Sequence, residues 1–67
     1  MKLTPIIEGT ILQLTREQLI ALLKQDAKTS AAGMFRATDD ALRGAVRTYL
    51  RMDRLTEAQL NQVKGTQ

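Results

Sequence analysis

The sequence predicts a mainly α fold, with a short N-terminal strand followed by two main helices and a short third helix, intertwined as a homodimer. Three observations lead there. The pattern L-T-x-x-Q-L occurs twice, at residues 14–19 and 55–60, and marks two helix starts. Apolar residues recur at helical spacing after Thr15 and again after Ala41. Ahead of the first helix, Thr10-Ile11-Leu12-Gln13-Leu14 has the β-branched texture of a strand.

Residues 1–9 are read as an N-terminal arm and residues 10–14 as the strand. A lone strand leaves its backbone groups unpaired. The same strand of a second subunit supplies the partners, giving an antiparallel ribbon across a dimer axis.

Helix one is expected over residues 15–32. Thr15 caps the first turn, Gln18 bonds back to it, and Leu14 packs on Leu19. Leu19, Ile20, Leu22, Leu23 and Ala27 form one apolar face, flanked by Arg16, Glu17, Lys24, Gln25 and Lys28. Gly33 tolerates the left-handed conformation that ends helices, with Met34 making the accompanying apolar contact. Helix two is expected over residues 38–53, capped by Thr38, with Asp39 and Asp40 complementing the positive end of the dipole. Its inner face comprises Ala41, Leu42, Ala45, Val46, Tyr49, Leu50 and Met52, and Gly44 permits a close helix crossing. Helix three, over residues 56–64 with Thr56 as cap and Gln59 as its return bond, offers Leu60 and Val63 as a flap or an extension of the dimer contact.

A chain of 67 residues allows one domain, and a monomer that short hides little apolar surface. Cysteine and histidine are both absent, so disulfides, thiolate chemistry and the usual zinc sites are excluded. Pooling two copies of the core remains as the way to gain stability. No apolar run reaches the roughly 18 residues of a membrane span. The start Met1-Lys2-Leu3-Thr4-Pro5 lacks the apolar region of a signal peptide, so a cytoplasmic location is expected. Catalysis has little to work with: there is no Gly-rich phosphate loop, and Asp39 and Asp40 point about 100° apart on a helix. The expectation is a non-enzyme without metal, cofactor or small-molecule substrate, acting by binding a partner.

Ten Lys and Arg against seven Asp and Glu give a formal charge of +3, which favours anionic partners. With only Phe35 and Tyr49 aromatic, the stacking platforms for single-stranded nucleic acid are scarce, and duplex DNA is the favoured partner. Arg36, Arg43, Arg47, Arg51 and Arg54 project within about 80° of one another on a wheel extended through helix two. Guanidinium forks suit phosphate oxygens and guanine edges. The bland reading is a solvated face partly neutralised by Asp39, Asp40, Asp53 and Glu57.

Strand, capped helix, loop and the run Ala41-Leu42-Arg43-Gly44-Ala45-Val46-Arg47-Thr48-Tyr49-Leu50 together resemble the ribbon-helix-helix family of dimeric DNA-binding repressors and antitoxins, over residues 9–51. In that family the paired strands enter the major groove and the start of the second helix contacts phosphate. The resemblance implies that Ile11 and Gln13, or Thr10 and Leu12, face bases, Gln13 being the polar candidate. A rival resemblance lies in Gly33-Met34-Phe35-Arg36-Ala37-Thr38, which looks like the turn of a helix-turn-helix. Both imply a transcriptional regulator that applies helix two to DNA. The competing function is a small helical protein, of the kind phages and plasmids encode, that occupies an acidic or apolar site on another protein through its Arg stripe or through Met34 and Phe35.

Overall fold

The structure, a computed structural model, describes residues 2–26 and 31–65. In chain order its elements are α1 (Pro5–Gln13), α2 (Arg16–Leu23), the single turn α3 (Ala31–Met34), α4 (Asp39–Arg51) and α5 (Glu57–Lys64). Each of the four longer helices opens at a threonine whose hydroxyl accepts a first-turn N–H: Thr4 from Ile7, Thr15 from Gln18, Thr38 from Ala41 and Thr56 from Gln59. The residue before each threonine, Leu3, Leu14, Ala37 or Leu55, is drawn into or against the core. One local device, an apolar anchor followed by a hydroxyl cap, therefore starts every long helix.

The segment read as a strand is helix. Residues 10–13 are the last turn of α1, and Pro5 to Gly9, read as an arm, form its beginning. Proline at the first helical position, Thr4 as cap and Glu8 in the first turn together outweigh a β-branched composition whose preference is weak. Ile7, Thr10, Ile11 and Leu14 are buried, a spacing of three and four that faces one side of a helix, whereas a strand would have sent Ile11 and Leu14 to opposite faces. Thr10 donates its hydroxyl to the Ile6 carbonyl, so its polar atom is satisfied within the helix. With backbone partners inside α1, no second chain is needed to complete a ribbon.

Helix one also ends sooner than its expected limit at residue 32. α2 stops at Leu23, and tightened bonds from Gln25 N–H to the Leu22 carbonyl and from Asp26 N–H to the Leu23 carbonyl turn the chain away. Ala27 and Lys28, assigned to that helix by the sequence, lie outside the described residues. Gly33 sits within α3, and no described glycine has a positive φ.

The end of helix two instead uses Asp53, at φ 59°, as its left-handed residue. Asp53 N–H reaches the Leu50 carbonyl and Arg54 N–H the Tyr49 carbonyl, the paired bonds of a Schellman motif. Along α4 the inner face is Leu42, Val46 and Leu50, with Ala45 and Tyr49 half-buried, while Ala41 and Met52 are exposed, contrary to the wheel. A Cβ built on Gly44 meets nothing within 4 Å, so no helix crosses there.

Among the described residues fourteen apolar ones, from Ile7 to Val63, close into one buried cluster. The radius of gyration, 10.7 Å, matches the roughly 11 Å of a compact single chain of this length. One copy thus builds a continuous core. α5 is no flap: Leu60 and Val63 are buried, and α5 packs on both α1 and α2. Gln18, from the first turn of α2, donates to the Val63 carbonyl at the far end of α5, and Gln59, from the first turn of α5, donates to Gln25 just beyond α2. α2 and α5 are antiparallel, with each start bound to the other's finish. The principal contacts are α2 with α4, α2 with α5, α1 with α5 and α1 with α4, so each joins the α1–α2 half to the α4–α5 half. Among the described residues no helix is long and apolar enough to cross a membrane.

Candidate binding surface

The five arginines of the expected stripe do not share one open face. Leu42, Val46 and Leu50 fix which side of α4 turns inward, and 100° per residue then puts Arg43, Arg47 and Arg51 successively further out along one flank. Arg47, half-buried, donates through Nε to Glu8 Oε2 at 2.8 Å and so ties α4 to α1. Arg43 pairs with Asp40 at 3.4 Å while its Nε is buried without a hydrogen-bond partner among the described residues. Arg51 is exposed.

Arg54 lies beyond the helix. Its guanidinium pairs with the largely buried Asp26 and stacks over the Tyr49 ring, 4.3 Å from the centroid. The hydrogen bond to Asp26, first, and the nearby negative charge hold its pKa above the ordinary value against some desolvation, so it stays cationic at any ordinary pH. Arg43, Arg47 and Arg54 therefore serve contacts within the chain. Gln13 is exposed at the last residue of α1 and faces no paired strand.

At the other end of α4 the turn over residues 35–38 joins α3 to the helix. Arg36 and Ala37 donate their backbone N–H groups to the Gly33 and Met34 carbonyls. Consecutive side chains diverge there: Met34 is buried in the core, whereas Phe35 is 63% exposed. Both residue types prefer the interior; the turn separates them. Lys24 places its ammonium 5.4 Å from the Phe35 ring centroid, and Arg36 is exposed alongside in sequence. Arg16 braces the turn, donating to the Phe35 carbonyl at 3.2 Å and the Met34 carbonyl at 3.5 Å while pairing with Asp39 at 2.8 Å.

Arg16 and Lys24 are the residues that sequence reading passed over, as flanks of helix one. Their partners lie 23 and 11 positions away, and no local pattern announces such pairings. The result is an exposed aromatic ring with the Lys24 ammonium over it, on a turn whose carbonyls Arg16 holds. Among the described residues no group of three or more acidic, Cys or His side chains is placed to hold a metal ion. Comparison with known proteins finds no matching family model, curated protein or solved structure.

Proposed function

We propose that this chain is a non-enzymatic module that binds another protein, with Phe35 as its anchor. The observation that carries the reading is the exposure of Phe35 on a turn whose backbone Arg16 holds in place. Exposing a large ring costs the fold apolar burial, and a pre-positioned aromatic is the type of side chain that dominates interface energetics. Lys24, whose ammonium lies over the ring, suits a pocket that is apolar at its floor and acidic at its edge.

The test uses the immobilised chain and nuclease-treated extract of its source cell, followed by titration of the captured partner. Phe35→Ser should weaken binding about 30-fold or more, the usual effect of truncating a central anchor. Lys24→Glu combined with Arg36→Glu should weaken it and remove its salt dependence. Capture unchanged by Phe35→Ser defeats the reading.

A second reading, binding of duplex DNA, has its own support in Arg43, Arg47 and Arg51 on successive turns of α4. Ion pairs that water reaches are modest in strength, so phosphate competes with the exposed Asp40 for Arg43 and with the half-buried Glu8 for Arg47. Under this reading Glu8→Gln frees Arg47 and tightens binding in a fluorescence anisotropy titration. Arg43→Ala with Arg47→Ala weakens it and lowers the salt slope by about one unit per lost phosphate contact. No binding by the unaltered chain at low salt removes DNA as the partner.

A further inference from the structure

Two local preferences are overruled at one place on the surface. Phe35 leaves a large ring in water, 63% exposed, while its chain neighbour Met34 is buried. Arg16 opens α2, so its cation stands at the positive end of the helix dipole, where an acidic residue is favoured. Functional sites are where such local rules are broken.

One guanidinium joins the two. Arg16 Nη1 donates to Asp39 Oδ1 at 2.8 Å, and Nη2 donates to the Phe35 carbonyl at 3.2 Å and the Met34 carbonyl at 3.5 Å. Among the described residues no backbone N–H reaches the Phe35 carbonyl, so Arg16 is its donor. Met34 and Phe35 are consecutive, and whatever fixes the backbone at their carbonyls also fixes which side chain turns to the core. Neither half of the ion pair is buried: the side chains of Arg16 and Asp39 are 36% and 52% exposed. A pair that water reaches adds little to the stability of a fold. The contact is suited to setting local geometry, not to holding the molecule together.

We infer that Arg16 is a positioning residue for the Phe35 anchor: its planar fork, aimed by Asp39, keeps Met34 inward and Phe35 outward and so sets the affinity of the Phe35 surface without touching the partner. The inference rests on the Phe35 reading and adds the residue that holds that surface ready. Lysine cannot replace it, because one ammonium on a flexible stem has the charge but no fork to span a carboxylate and two carbonyls. Holding the ring in its bound direction removes an ordering cost that association would otherwise carry.

Arg16→Lys and Arg16→Gln test it. Both should keep the melting temperature, since the lost contacts are exposed and Gln also takes a cation away from the positive helix end. The clamp is read without any partner, from the rate at which dilute hydrogen peroxide converts Met34 to its sulfoxide, with Met52, 58% exposed, as the internal standard. Relative to Met52, both variants should oxidise Met34 roughly threefold faster or more than the unaltered chain does, through local opening of the turn. Titrated against the protein captured through Phe35, Arg16→Lys should bind about tenfold more weakly, and in a Phe35→Ser chain the same change should have no further effect. Lysine that protects Met34 as well as arginine, a loss of affinity that persists beside Phe35→Ser, or a large fall in melting temperature each overturns the proposal. So does Arg16→Lys binding like the unaltered chain where Phe35→Ser does not, which leaves the Phe35 reading standing. Binding unchanged by Phe35→Ser itself removes that reading, and the affinity role of Arg16 with it.

Discussion

Gln18 Nε2 donates to the Val63 carbonyl oxygen at 3.3 Å, while Gln18 Oε1 accepts the Thr15 N–H at 2.8 Å. One side chain thus bonds a backbone donor at the start of α2 and a carbonyl in the last turn of α5. Gln18→Ala should lower unfolding free energy by about 1–2 kcal/mol in urea melts, and Thr15→Ala by about 0.5–2 kcal/mol. Thr15→Ala should cost more than Thr56→Ala, because α2 supplies four buried apolar residues to the core and α5 two. No loss in Gln18→Ala would mean that the two helix ends are not joined.

Thr4→Ala separates a helical from an extended N-terminus. Thr4 Oγ1 accepts the Ile7 N–H at 3.2 Å, so the substitution should cost about 0.5–2 kcal/mol and reduce the far-ultraviolet helical signal. If residues 10–14 were a strand, Thr4 would sit in an arm and its loss would leave the melt unchanged.

Gly44→Ala should stabilise the protein by about 0.5–1 kcal/mol, raising the melting temperature by several degrees. The added methyl meets nothing within 4 Å, and alanine loses less backbone entropy than glycine on entering a helix. A close helix crossing at Gly44, as the sequence suggested, would give the opposite sign.

At Asp53 the backbone stands at φ 59°, a conformation that costs a residue with a Cβ about 1–2 kcal/mol, and aspartate somewhat less than most. Asp53→Gly should therefore stabilise the fold by about 0.5–1 kcal/mol in a denaturant titration. Destabilisation would show that contacts of the Asp53 carboxylate outweigh the relief of strain.

The helix starts were legible because a threonine cap acts within four residues, and Thr15, Thr38 and Thr56 are read from their neighbours alone. Thr4-Pro5 carries the same signal, but the β-branched Ile6, Ile7 and Ile11 obscured it, although the spacing of Ile7, Ile11 and Leu14 is helical. The end of α2 was not legible, since the Ala-rich residues beyond Leu23 are compatible with helix. What holds Asp26 is Arg54, 28 positions away. The arginine stripe failed as an open face for the same reason: the wheel gave the angular order of Arg43 and Arg47 but could not show that Glu8, 39 positions from Arg47, lies opposite. Charge was legible, and its pairing was not.

The principal helix contacts all cross between the α1–α2 half and the α4–α5 half, and this bears on how the chain can be divided. Made as two peptides broken between Asp26 and Ala31, neither piece would hold a core of its own, since α2 packs chiefly on α4 and α5 of the other. Mixed at equal concentration, they should recover helicity together in a bimolecular step.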